Sequence, residues 1–215
     1  MKLELETYTP SEAEEVTKVP QATVRNWRRS GHLAKNERHG HYTIVDVLIM
    51  VAMQALVSRG LTPGAASGFA VEVARSIFLV MLHSSRAYSE GAKAAAQGQV
   101  GAIPQEILDR LCAHEGGAER TSMIEDAALD SILIAEAEQS FGVAGMRTPE
   151  WLIIWANGKT QFYYDEDISE ETFFGNTFFA DDHIQGPVIL FCMGAMAHMV
   201  LDRLPRPAIR LAQGA

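Results

Sequence analysis

The stretch "ATVRNWRRSGHL", residues 22–33, sets three arginines around one tryptophan and ends its basic run just before Gly31. Val24 and Trp27 lie three apart and share a face in a helix, while Gln21, Ala22, Arg25, Asn26, Arg28 and Arg29 point outward or sideways. Pro20 suits the start of that helix, and Gly31 suits the left-handed residue that closes it. Upstream, Thr9-Pro10-Ser11-Glu12 carries the letters of another helix start. Threonine caps, proline fits the first turn, and the glutamate reaches back to complete a capping box. The sequence therefore predicts a short helix with Ala13 and Val16 inward, a turn at Thr17-Lys18-Val19, and a basic second helix from Pro20 to about Ser30. Two short helices joined by a tight turn, the second basic and anchored by one aromatic, follow helix-turn-helix logic.

The surrounding charge gives this pattern weight. The 215 residues carry a net charge of -9, but unevenly. Residues 1–62 hold eight basic and seven acidic side chains, against ten and twenty in residues 63–215. Between residues 18 and 45, Lys18, Arg25, Arg28, Arg29, Lys35 and Arg38 face Glu37 as the one acid, with His32, His39 and His41 added. A local positive field on a negative body is what a phosphate-binding surface needs, because the rest repels nucleic acid and restricts contact to one face.

Residues 32–44, "HLAKNERHGHYTI", extend the module. Leu33 reads as core, Asn36 to Gly40 as a polar turn, and Tyr42 and Ile44 as resumed strand alternation. A small hairpin after a recognition helix is a wing, which lays basic tips on the phosphate backbone. Asp46 then reads as the start of a helix ending at Gly60.

Thr23-Val24-Arg25, Trp27, Gly31 and Leu33, then Gly40, Tyr42, Asp46-Val47 and Gly60-Leu61, resemble the winged helix-turn-helix of the MerR family over about residues 7–66. That resemblance implies that Arg25, with Gln21 and Ala22, faces the major groove, and that Arg28, Arg29, Lys35 and Arg38 are phosphate ligands, with His41 and Tyr42 in the wing. Arginine suits guanine because its fork of N–H groups matches O6 and N7, and Gln21 suits adenine. Three positions depart from the family pattern. Lys18 stands where a turn glycine is common, Asn26 where an aromatic is frequent, and His41 where arginine is usual. One module makes few base contacts, so a homodimer on a palindrome is expected. MerR relatives dimerise through a long helix, but "SIFLVML" (76–82) is apolar on every face and reads as a helix inside a globular body.

The remaining chain reads as mostly helical to residue 140, with helices expected over 65–88, 104–114 and 120–140, the last with Ile124, Leu129, Ile132 and Leu133 inward. Asn157-Gly158 between apolar runs predicts a hairpin pairing 151–156 with 159–164. The acidic 165–171 reads as exposed, "PVILF" (187–191) as a buried strand, and 194–204 as a helix ended by Pro205. The fold class expected is mostly α with a small sheet (α+β): an N-terminal winged helix-turn-helix domain over 1–62 and an acidic body over 63–215.

Little of this body suggests chemistry. Cys112, His114, Cys192 and His198 have the softness of metal ligands but match no metal-site spacing, so neither a metal nor a cofactor is expected. Asp181, His183 and Gly186 spell the D-x-H-x-x-G of cobalamin-binding relatives, without the α/β fold that the signature requires after it. Nine of seventeen aromatics fall between residues 151 and 179, a pattern of sheet packing or of an apolar effector pocket. No catalytic constellation is visible. Two cysteines provide no disulfide framework. The opening "MKLELETYTP" has no apolar signal region, and the longest uncharged run, 184–201, is short of the roughly 20 residues that span a bilayer.

The expectation is a cytoplasmic, homodimeric, sequence-specific binder of double-stranded DNA that regulates transcription and is not an enzyme. RNA polymerase and a small-molecule effector are further partners it leaves room for, and no membrane. A mobile-element architectural or packaging protein, excisionase-like or small-terminase-like, is the alternative, as is an adaptor that recruits a protein to DNA.

Overall fold

Thr9 and Glu12 begin the first helix as their spacing demands. In the computed structural model, which describes residues 1–35, 40–103, 106, 118–155, 158–164 and 188–212, the Glu12 amide donates to Thr9 Oγ1 at 3.3 Å and the Thr9 amide to the Glu12 carboxylate at 2.8 Å. Such a cap stabilises a helix by about 1 kcal/mol. The chain forms two compact units, residues 7–81 with 146–204, and residues 1–6, 82–145 and 205–215.

In the first unit, α1 (Pro10–Thr17) buries Ala13 and Val16, and α2 (Gln21–Arg29) buries Val24 and Trp27. The turn between them uses Lys18 at φ 58°, the left-handed conformation that glycine adopts freely. It costs a lysine on the order of 1 kcal/mol. The Thr17 hydroxyl offsets this by donating to the Ala13 carbonyl at 2.7 Å and accepting from the Val19 amide at 3.1 Å. Strand β3 (Tyr42–Thr43) pairs antiparallel with β2 (Thr7–Tyr8). The expected alternation through Ile44 gives way at Thr43, whose hydroxyl accepts from the Asp46 amide at 3.3 Å while the Asp46 carboxylate accepts from the Thr43 amide at 2.8 Å. This second capping box starts α3 (Ile44–Ser58) two residues before Asp46. Helix α3 buries Ile44, Val47, Leu48, Met50, Val51, Ala52, Met53 and Leu56 and packs on α1. An apolar surface this broad belongs at a core's centre.

Helix α4 (Pro63–Leu82) is, among the described residues, the one helix long and apolar enough to cross a membrane by length and composition. Its second half, from Val73 to Leu82, is buried on nearly every face. The expected continuation to residue 88 stops at Leu82, where the backbone turns through a short 3-10 segment, Ser85–Ala87. The hairpin forms between β4 (Trp151–Ile154) and β5 (Thr160–Tyr163), but one residue out of the expected register: Trp151 pairs with Tyr163 and not Tyr164, through to Ile154↔Thr160. The Trp155 amide donates to the Lys159 carbonyl at 2.8 Å and leaves three residues between them where two were expected; Gly158 adopts φ 81°. Strand β6 (Ile189–Cys192) adds to the other side of β4, giving the order β5-β4-β6. The expected buried strand is thus an edge strand, with Phe191 buried and Leu190 46% exposed. It leads into α7 (Met193–Arg203), which packs on α1 and donates from Arg203 Nη1 to the Val16 carbonyl at 3.3 Å.

The second unit contains a strand pair unforeseen from the sequence. β1 (Leu3–Leu5) runs antiparallel to β7 (Ile209–Leu211), with Glu4 opposite Arg210 and 2.9 Å between their charged groups. Segments this short carry no detectable period of their own. Helix α5 (Glu90–Val100) lies outside the three helices expected from the sequence and contains Gly91 and Gly98. It forms because Ala92, Ala96 and Val100 make a small buried stripe, and it packs on α6 (Ala118–Phe141), where Leu133 and Ala137 are buried. Ile124, Leu129 and Ile132 are half-buried. Tyr88 is 1% exposed and donates its hydroxyl to the Leu82 carbonyl at 2.8 Å. Burial first, then the charges of Asp130 and Glu138, raise its pKa and keep the phenol a proton donor. The helix expected over 104–114, the acidic run 165–171, Phe173 to Phe179 and the Asp181-His183-Gly186 triplet lie outside the described residues, Glu106 apart.

The architecture is mostly helical with small antiparallel sheets.

Candidate nucleic-acid interface

Helix α2 is two-sided because its residues are. Val24 and Trp27 are 5% and 6% exposed, and Ala22, Arg25, Asn26 and Arg29 stand on the solvent side. Gln21 is half-buried at the first turn. The C-terminal end closes as its glycine requires: Gly31 takes φ 77°, and the amides of His32 and Leu33 both donate to the Trp27 carbonyl, at 2.8 and 3.3 Å. The residue that fills the inner face also receives the bonds that end the helix. Two cations in the last turn, Arg28 and Arg29, suit the negative end of the helix dipole.

The three arginines have different surroundings. Arg25 is exposed and, among the described residues, forms no ion pair, so its fork is available to an external acceptor. Arg29 is exposed and donates to Asn26 Oδ1 one turn back. Arg28 is half-buried: its guanidinium carbon lies 4.9 Å from the centroid of the Tyr42 ring, and Nη1 donates to the Tyr42 hydroxyl at 3.2 Å. Among the described residues, its buried Nε has no hydrogen-bond partner. Tyr42 is 8% exposed and starts the strand that the Thr43–Asp46 capping box joins to α3. Arg28 and Tyr42 therefore clamp α2 to β3. Lys35 and His41 are exposed, and Arg38 lies outside the described residues.

The exposed residues Ala22, Arg25, Arg29, Lys35 and His41 are thus distinct from the enclosed pair Arg28 and Tyr42. Asn26 was not among the site residues expected from the sequence; its i, i+3 relation to Arg29 is the signal that could have found it.

Residues 8–70 match the family model described as the MerR HTH family of regulatory proteins. This segment is a MerR-type helix-turn-helix module. The match covers under a third of the chain and points to a DNA-binding transcription regulator. No curated protein and no solved structure matches the chain. Within the MerR-type module, the departure at Lys18 is absorbed by a left-handed lysine, and the departure at Asn26 becomes the partner of Arg29.

Proposed function

We propose that this protein is a cytoplasmic homodimeric regulator that reads double-stranded DNA in a sequence-specific manner through residues 1–62. In this reading residues 63–215 supply dimerisation and ligand sensing. The observation that carries the reading is the two-sided helix α2: an exposed Arg25 opposite a buried Val24–Trp27 face, inside a segment that matches MerR-type modules.

Arg25, with Gln21 and Ala22 beside it, meets base edges in the major groove, where a guanidinium fork pairs with guanine. Arg29, Lys35, Arg38 and His41 lie toward the phosphates, whose charge they neutralise with release of counterions. Arg28 and Tyr42 belong to the same interface and fix the angle between the reading helix and the wing. One module offers few base contacts, so two copies on an inverted repeat give the required specificity, and the bound regulator then acts on RNA polymerase. The excess of acid in residues 63–215 keeps the remaining surface off the duplex.

The test is a genome-wide footprint with the purified full-length chain, combined with sedimentation of the protein–DNA complex. The expected result is a short inverted repeat occupied by two chains. Uniform occupancy without a shared motif, or one chain per site, overturns the reading.

A further inference from the structure

The first compact unit holds an open cleft of about 660 Å³ behind the helix-turn-helix. Its walls are Leu61 from the α3–α4 turn, Phe69 from α4, and Ile154, Trp155 and Ile189 from the three-stranded sheet. This volume lies within the range of small-molecule sites, which combine apolar walls with a few polar groups. The polar group here is Arg59, which follows α3 and is the one charged side chain among the described residues of the lining. It is exposed and, among the described residues, forms no ion pair.

Two further observations give the cleft a chemical preference. A neighbouring cavity of about 320 Å³ shares Arg59 and adds Lys18 and Arg203 above Phe191, Met196 and Met199. Among the described residues, neither lining contains an acidic side chain. Gly68 also lines the cleft, and a β-carbon on it would meet nothing within 4 Å, so a larger side chain there has room to enter.

We infer that this cleft binds a small amphipathic organic anion, with its apolar body between Phe69 and Trp155 and its carboxylate or other anionic head on Arg59. A planar or short aliphatic body fits the aromatic and branched walls. A guanidinium holds an oxyanion through paired N–H groups without needing burial. The site lies close to the DNA-reading helix. A β-carbon at Gly64, which lines the same cleft, would sit 3.6 Å from His32 Cε1, and the His32 amide is bonded to the Trp27 carbonyl at 2.8 Å. A ligand that displaces the start of α4 therefore presses on His32, three residues past the end of α2. This inference rests on the sensing role proposed above and gives it a place and a ligand class.

The test uses two fluorescent probes on the full-length chain, 1-anilinonaphthalene-8-sulfonate and the uncharged N-phenyl-1-naphthylamine. The sulfonate should bind one per chain with energy transfer from tryptophan. Gly68→Leu fills the cleft and should weaken both probes about tenfold or more, with its helix content checked by circular dichroism. Arg59→Gln should weaken the sulfonate about tenfold and leave the uncharged probe within about twofold, as expected for loss of one charged contact. Parent-like binding of both probes to Gly68→Leu overturns the site. Equal effects of Arg59→Gln on the two probes overturn the anion preference. Retention of the footprinted DNA is measured in the same samples. Probe binding that leaves it unchanged overturns the sensing role and spares the site, whereas DNA binding without any probe binding overturns the site alone.

Discussion

Replacing Arg28 by alanine separates two tasks that an arginine can perform at the end of a recognition helix. Its guanidinium carbon stands 4.9 Å from the Tyr42 ring centroid, and Nη1 lies 3.2 Å from the hydroxyl. A partly desolvated cation–π contact stabilises by about 1–2 kcal/mol, and a charged hydrogen bond by about 1.5–3 kcal/mol. These share one pair of groups and do not add, and the buried Nε without a partner costs about 1–3 kcal/mol in the opposite sense. The net loss for Arg28→Ala should be about 1–2 kcal/mol. At about 2–4 °C per kcal/mol for a chain of this size, the melting temperature should fall by about 2–8 °C. Arg29→Ala supplies the contrast. Its side chain is exposed and bonded to exposed Asn26, so its removal should change stability by less than about 0.5 kcal/mol. If Arg29 lies on a phosphate, the same change should flatten the plot of log affinity against log salt by about 0.9. Thermal melting by circular dichroism and fluorescence anisotropy on a labelled operator over a salt series read both quantities. An Arg28→Ala protein that melts like its parent while its salt slope drops by about 0.9 would refute the clamp and place Arg28 on the DNA backbone.

Other expectations follow from single contacts. Arg25→Ala should cost roughly 1–3 kcal/mol on the preferred operator and relax base preference at one position per half-site, read by binding to a set of single-base operator variants; equal loss on every variant would remove Arg25 from base reading. Lys18→Gly should raise stability by about 0.5–1 kcal/mol in urea melts, since relief of the left-handed conformation exceeds the added chain entropy; a destabilised variant would show that the turn is unstrained. Tyr88→Phe leaves the buried Leu82 carbonyl without its hydroxyl donor and should cost about 1–3 kcal/mol, with DNA affinity at low temperature unchanged. A neutral effect on stability would mean that another donor replaces the hydroxyl.

Local chemistry made the N-terminal module readable. Thr9 with Glu12, Val24 with Trp27, and Gly31 act over four residues or fewer, so their letters state the geometry directly. Lys18 illustrates how far this reaches. Its position in a tight turn required a left-handed residue, and the cost is met by the hydroxyl of the preceding threonine. Arg28 illustrates where it stops. Its letter is the same as those of Arg25 and Arg29, and helix phase alone places it sideways. Only the arrival of Tyr42, fourteen residues later, encloses it.

The same division runs through the rest of the chain. Helix α5 forms despite two glycines because an alanine stripe meets α6, and β1 forms because β7, some two hundred residues away, completes its hydrogen bonds. The existence of the 151–163 hairpin was written in its turn residues, but its register and its place in one compact unit with the MerR-type module were not. That placement brings Trp155, Phe69 and Arg59 into the lining of one cleft. Sequence by itself determined the caps, the two-sided reading helix and the charge that favours DNA, because these depend on neighbours along the chain. Which arginine is free, which is clamped, and what surrounds the cleft were decided only by tertiary structure, because burial and pairing depend on neighbours in space.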